Sequence, residues 1–276
     1  MTNLFNYIDR PSPIHELTGA TKFICLLLWS FAAMSTYDTR LLICITLFGI
    51  LMFLVSKIHL KDVSYVITFT TGVLVLNIIM IYLFSPQHGA ELYGSATFIG
   101  GLSGRYAPTL ETLFYLLNYV LKYFAMIPIV LLFVCTTNPS EFASSLNKIG
   151  VKYSIAYSVA LALRYIPDVQ RQYHEIAQAS QARGIEMSKG KTSIIKRLKS
   201  ASAILIPLIL TSMDNVEIVA NAMELRGFGK KKKRTWYMAR KFRPLDFVSI
   251  GICVLMVILS YVLRYVDGGR FYNPFL

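Results

Sequence analysis

Apolar positions in this chain fall into a few long runs separated by short polar breaks, and one broad polar interval divides the runs. Val63 to Phe84 is 22 residues without a charge, Leu113 to Cys135 is 23 residues interrupted by Lys122 and Pro128, and Phe247 to Leu263 is uncharged throughout. A helix rising about 1.5 Å per residue needs about 20 apolar residues to cross a hydrocarbon core about 30 Å thick, so these three runs predict crossing helices. Phe23 to Ser35 and Leu41 to Ser56 are shorter and span only if their flanks are included. The pattern therefore predicts an all-α integral membrane protein with about five crossings. Residues 1–135 form an N-terminal membrane domain with about four of them, and residues 245–276 add a fifth helix and an external tail. Two further apolar stretches, Val151 to Leu163 and Ala201 to Thr211, lie inside the polar interval, and their shortness predicts buried or interfacial helices.

Composition agrees with this reading and charge adds an orientation. Apolar residues make up 55% of the chain and charged ones 16%, against roughly 45–50% and 25% in soluble domains. Between Thr136 and Pro244 lie 19 of the 28 basic residues and only 7 of the 15 acidic ones, so this segment carries nearly all of the net charge of +13. Basic loops stay on the cytoplasmic side. Residues 136–244 are thus expected to be a cytoplasmic domain, with the N-terminus also inside. The Lys57 to Lys61 connection is basic too, whereas Ser85 to Thr112 holds one basic residue, Arg105. The first 22 residues lack the apolar centre of a cleavable signal peptide.

Within the basic interval the phrase Ala-x-Ala-x-x-x-Arg-Gly occurs twice, as Ala177, Ala179, Arg183, Gly184 and as Ala220, Ala222, Arg226, Gly227. Each copy follows an Ile-Pro pair, Ile166-Pro167 and Ile206-Pro207, at helical spacing. Proline is tolerated in a first helical turn and glycine is favoured just past a helix end. Two helices of about five turns are expected, each with an arginine at its C-terminal tip, where the backbone dipole favours a cation. One copy alone is an ordinary helix stop; two with the same internal spacing point to two equivalent docking points. The paired alanines predict smooth faces where helices approach closely.

Other chemistry is excluded or weak. His15, His59, His88 and His174 are scattered, and no metal-ligand, nucleophile or paired acid-base spacing appears, so no catalytic residue, metal or cofactor is expected. Gly184, Gly190, Lys191 and Thr192 imitate a phosphate-binding loop, but five residues separate the glycines where that loop needs four. Cys25, Cys44, Cys135 and Cys253 lie far apart in or beside apolar runs and read as small buried residues. Asp168 and Glu175 share a helix face with Arg164 and Arg171, as in a solvated or partner-facing stripe. The Lys230 to Arg234 cluster lacks an aromatic stacking platform and suits anionic lipid headgroups better than nucleic acid. Lys122 is either a functional intramembrane charge or a lysine reaching the outer interface.

Several segments resemble the transmembrane T component of energy-coupling factor transporters, in the CbiQ-like group. Ser12-Pro13-Ile14-His15 with Leu17 and Lys22 is similar to that family's opening motif, although Thr18, Gly19 and Ala20 replace its usual Asp-Pro-Arg. Thr136-Thr137 with Pro139, Glu141 and Leu146, and Leu163-Arg164-Tyr165-Ile166-Pro167, resemble two later segments. The paired Ala182-Arg183-Gly184 and Leu225-Arg226-Gly227-Phe228 match best, with Leu225 departing from the family's alanine. The resemblance implies a scaffold joining two cytoplasmic ABC-type ATPase subunits to a membrane-embedded S component that captures a vitamin or metal ion, with ATP hydrolysis in the partners. Ala182, Arg183, Gly184, Leu225, Arg226 and Gly227 would enter grooves of the ATPases. Ala177, Ala179, Ala220, Ala222, Met213 and Met223 would line helix crossings and the S-component contact. The alternative class, a self-contained secondary transporter or channel, predicts inverted repeats among the spans and a polar midplane site.

Overall fold

Four helix starts follow from single polar side chains. In a computed structural model of the chain, Ser12, Thr18, Asp38 and Thr109 each accept a backbone N–H of the first turn of the helix they precede. Side-chain caps of this kind satisfy donors that the helix itself leaves open. The structure describes residues 12–95, 97–98, 104, 106–184, 194–230, 235–236, 240–266, 269 and 271–272, apart from the side chains of residues 139 and 194–200. In chain order the helices are α1 (Pro13–Glu16), α2 (Gly19–Ser35), α3 (Thr39–Val55), α4 (Leu60–Phe84), α5 (His88–Tyr93), α6 (Leu110–Thr136), α7 (Pro139–Lys148), α8 (Tyr153–Ala182), α9 (Ile194–Leu225) and α10 (Pro244–Val266). No strand occurs among the described residues, as expected of an all-α membrane protein.

The chain divides into two compact units, one from Met1–Asn138 with Arg240–Leu276 and the other from Pro139–Ala239. In the first, α2 packs between α6 and α10, and α3 packs along α6. Small residues permit this closeness: Ala32, Ala33 and Ala125 have no exposed surface, and they join Trp29, Leu41, Ile45 and Cys253 in one core. A side chain on Gly49 would stand 3.2 Å from the Trp29 ring and 3.5 Å from Pro128, so glycine suits the close packing of α3 on α6 and on the Trp29 side chain. Pro128 cannot donate to the Phe124 carbonyl one turn before it; beside that gap the Trp29 indole N–H donates to the Ala125 carbonyl at 2.9 Å.

Helices α4, α6, α10 and the Ala201–Leu225 part of α9 are long and apolar enough to cross a membrane, whereas α2 and α3, at 17 residues each, are shorter. These two do extend beyond their apolar runs into polar flanks, α2 by starting at Gly19 ahead of Thr21 and Lys22. Large apolar side chains such as Leu27, Phe69, Leu76 and Leu255 face outward, the arrangement a lipid solvent requires. Two expectations change here. Ala201 to Thr211 is not a short helix of its own but part of α9, whose Ala201–Leu225 part continues through isolated charges at Asp214, Glu217 and Glu224. Cys44 is exposed on α3 rather than buried, while Cys25, Cys135 and Cys253 are buried.

A polar knot closes one end of the first unit. Ser12 Oγ lies 2.6 Å from His15 Nδ1, the Lys22 ammonium donates to the Thr136 carbonyl at 2.8 Å and the His15 carbonyl at 3.4 Å, and Arg240 donates to the same His15 carbonyl at 3.3 Å. Asp246, with no exposed surface, accepts the backbone N–H groups of Thr18 and Arg243 at 2.9 and 2.7 Å. The opening motif therefore serves the ends of α6 and α10, elements 114 to 228 residues away in sequence.

Candidate functional site

The second unit is built on α7, α8 and α9, with α8 packed against both of the others. Both long helices exceed the five turns expected: α8 has 30 residues and α9 has 32. Pro167 and Pro207 do not open these helices but lie inside them. An interior proline removes the hydrogen bond to the carbonyl four residues earlier, here Leu163 and Ala203, and is tolerated where the flanking turns hold the helix. The apolar stretches read separately belong to these same helices: Val151 to Leu163 leads into and opens α8, and Ala201 to Thr211 is the middle part of α9.

The two tips have one geometry. At the first, Arg183 N–H donates to the Ala179 carbonyl at 3.3 Å and Gly184 N–H to Gln181 at 2.9 Å, with Gly184 at φ +85°. At the second, Arg226 N–H donates to Ala222 at 3.2 Å and Gly227 N–H to Glu224 at 2.8 Å, with Gly227 at φ +69°. A left-handed residue after the last turn strains any side chain, which is why glycine follows each arginine. Ala182, Arg183, Gly184, Leu225 and Arg226 are exposed, and Gly227 is half-buried. Leu225, 90% exposed, is an apolar side chain left uncovered among the described residues.

Between α8 and α9 runs a groove of about 560 Å³ whose lining includes Leu161, Tyr165, Val169, Val219, Ala220 and Met223. Its polar groups are few, among them Gln172, Ser212, Asn215 and Glu224. The alanine pairs do not form single smooth faces. Residues two apart point about 200° away from each other on a helix, so only one of each pair can face the neighbouring helix. Ala177 is buried and Ala220 lines the groove, whereas Ala179 and Ala222 are exposed on other sides, and Met213 is exposed while Met223 lines the groove. Arg171 forms exposed ion pairs with Asp168 at 3.5 Å and Glu175 at 3.9 Å along α8. Gly190, Lys191, Thr192 and the lysines and arginine at 231–234 lie outside the described residues.

The motif that ends in Phe228 assigns that residue no role, yet the structure gives it one. Its N–H donates to the Met223 carbonyl at 2.9 Å, closing the turn after Gly227, and its ring lies 4.9 Å from Tyr157 and 5.9 Å from Tyr153. Trp236 packs on the same two tyrosines and donates through its indole N–H to Asn147 at 3.1 Å. An apolar residue immediately after such a glycine commonly packs on the last turns of its own helix, which marks Phe228 as a packing position but does not point to its partners on α8.

In the first unit Lys122 is 6% exposed, donates to the Met34 carbonyl at 3.2 Å and stands 3.3 Å over the Tyr37 ring. Met34 is in the last turn of α2, so the ammonium serves the negative end of that short helix.

Against known families, residues 10–237 match CbiQ, described as cobalt transport protein. The chain belongs to the CbiQ family. This CbiQ-family protein is similar to the energy-coupling factor transporter transmembrane protein EcfT of Bacillus selenitireducens, 25% identical over 273 residues that cover 95% of the chain and 97% of the relative. To EcfT of Lactococcus lactis it is 27% identical over 267 residues, 92% and 94% of the two chains. With EcfT of Exiguobacterium sibiricum identity rises to 30% over 157 residues, 54% of this chain and 58% of the relative. The matched part spans little more than half the length of that relative and of those from Leuconostoc and Limosilactobacillus. The T-component resemblance read from the motifs is thereby borne out, and the chain is a transmembrane protein of this family.

Proposed function

We propose that the protein is the transmembrane coupling component of an energy-coupling factor importer for a vitamin or metal ion. It joins two ABC-type ATPase subunits in the cytoplasm to a membrane-embedded S component and transmits their motion; the ATPases, not this chain, hydrolyse ATP. On this reading residues 1–135 form the membrane domain with the N-terminus on the cytoplasmic side, residues 136–244 form the cytoplasmic coupling domain, and residues 245–276 form a crossing helix and an external tail. The single observation that carries the reading is the pair of helix ends with matching hydrogen bonds and a left-handed glycine, each offering an exposed arginine at its tip. A guanidinium fixed in this way can pair with a carboxylate in a partner's groove through two parallel hydrogen bonds. The names of the relatives, energy-coupling factor transmembrane proteins, support it.

The test is co-purification of the ATPases and substrate uptake for Arg183→Ala, Arg226→Ala and the double variant. Removing one member of a desolvated ion pair costs on the order of 2–5 kcal/mol, whereas a cation that merely solvates a helix end contributes about 0.3–1 kcal/mol. Each single variant is expected in the membrane with weakened ATPase attachment and little uptake, and the double variant should release the ATPases. Wild-type behaviour of the double variant ends the docking reading.

A further inference from the structure

Phe228, Trp236, Tyr153 and Tyr157 form an aromatic cluster directly behind the second arginine tip. Tyr153 and Tyr157 lie in the first turns of α8 and stack at 5.9 Å; Phe228 and Trp236 each contact both of them, at 4.9 and 5.9 Å and at 5.2 and 6.3 Å. Trp236 is tied in turn to Asn147 at the end of α7, and the Asn147 amide donates to the Val151 carbonyl at 2.9 Å in the turn that leads into α8. The end of α9 is thus joined to the start of α8 two residues after Arg226. All four rings are half-buried, so the cluster is held by ring contact and by one hydrogen bond at its edge rather than by the central core.

The chemistry of a docking arginine explains why such a support matters. A guanidinium makes two parallel hydrogen bonds only from a fixed direction, and a helix end held by its own last turn alone frays. Ordering that end on binding would subtract from the affinity. A brace two residues away removes this cost in advance, and Gly227 at φ +69° sets the turn that brings the Phe228 ring back onto α8.

We infer that Phe228 and Trp236, through Tyr153 and Tyr157, are positioning residues that hold the Arg226 tip in its docking direction. This rests on the reading of Arg226 as an ATPase-docking residue. The rings do not touch the partner; they act through the arginine.

A double-variant cycle on the intact complex separates that role from general support of the fold. ATPase affinity is measured for Phe228→Ala in the wild-type, Arg226→Ala and Arg183→Ala backgrounds, with Phe228→Leu and Trp236→Phe as milder companions that keep apolar bulk. Phe228→Ala should weaken attachment roughly tenfold in the wild-type and Arg183→Ala backgrounds, the effect of one side chain's worth of lost preorganisation. In the Arg226→Ala background it should add almost nothing, because the residue it positions is gone. Phe228→Leu should restore most of the affinity. If Phe228→Ala or Phe228→Leu weakens attachment equally in all three backgrounds, the cluster is general scaffolding and the inference fails while the docking reading stands. If Arg226→Ala itself leaves attachment unchanged, the docking reading falls and takes the inference with it.

Discussion

Lys22 offers the sharpest test of how the opening motif works. Its side chain is 6% exposed, and its ammonium reaches the Thr136 carbonyl at 2.8 Å, in the last turn of α6, as well as the His15 carbonyl at 3.4 Å. Lys22→Met keeps the apolar stem and removes the charge. A hydrogen bond from a charged donor contributes about 1.5–3 kcal/mol, and a cation at a helix C-terminus about 0.3–1 kcal/mol. Against these stands the cost of keeping an ammonium out of water, which methionine relieves, so a net loss of about 2 kcal/mol is the reasoned value. A change of that size lowers the melting temperature by roughly 4–8 °C in a unit of 150–250 residues. Thermal unfolding of the purified protein in one detergent at one scan rate, beside wild type and Lys22→Arg, measures it. Arginine should retain part of the stability because it can still donate to both carbonyls. A Lys22→Met protein that melts with wild type would refute the view that this charge ties α2 to α6.

Other variants probe separate contacts. A methyl group on Gly89 would fall on the backbone of Glu111 and Thr112, so Gly89→Ala should cost more than 2 kcal/mol, on the order of an overpacked core site, read as a melting shift or as loss of expression in the membrane. Ala177→Leu should disturb the second unit, since Ala177 is buried, and lower its protease resistance, whereas Ala179→Leu should leave that resistance unchanged because Ala179 is exposed. Orientation is checked in a cysteine-free background: a cysteine at Gly104 should react with an impermeant thiol reagent on intact cells and one at Lys230 should not, and labelling of Lys230 would reverse the assigned topology.

Much of the fold was legible because it depends on local pattern. The apolar runs gave α4, α6 and α10, and the Arg-Gly pairs gave the ends of α8 and α9 to the residue, since only glycine enters the left-handed region without strain. The starts of α8 and α9 were not legible. Proline fits a first turn and an interior equally well when the residues before it are themselves helical, and Val151 to Leu163 and Ala201 to Thr211 could not be told apart from independent short helices. Alanine spacing misled for a geometric reason, as neighbours two apart face different ways. Contacts such as Thr18 with Asp246, 228 residues apart, leave no periodic trace at all. Nor does the meeting of Phe228 and Trp236 over Tyr157, which the chain assembles from two distant segments.

The interior prolines leave α8 and α9 each with one missing backbone hydrogen bond partway along. Pro167 stands 16 positions before Arg183, and Pro207 stands 19 before Arg226. At about 1.5 Å per residue the distal arms are about 24 and 28 Å long, so a bend of about 10° at either proline sweeps its arginine through about 4–5 Å. The missing hydrogen bond at each proline is what makes such a bend inexpensive. Under the proposed coupling role, a small angular change at one end of these helices would be enlarged at the other, with a gain set by where along the chain each proline sits.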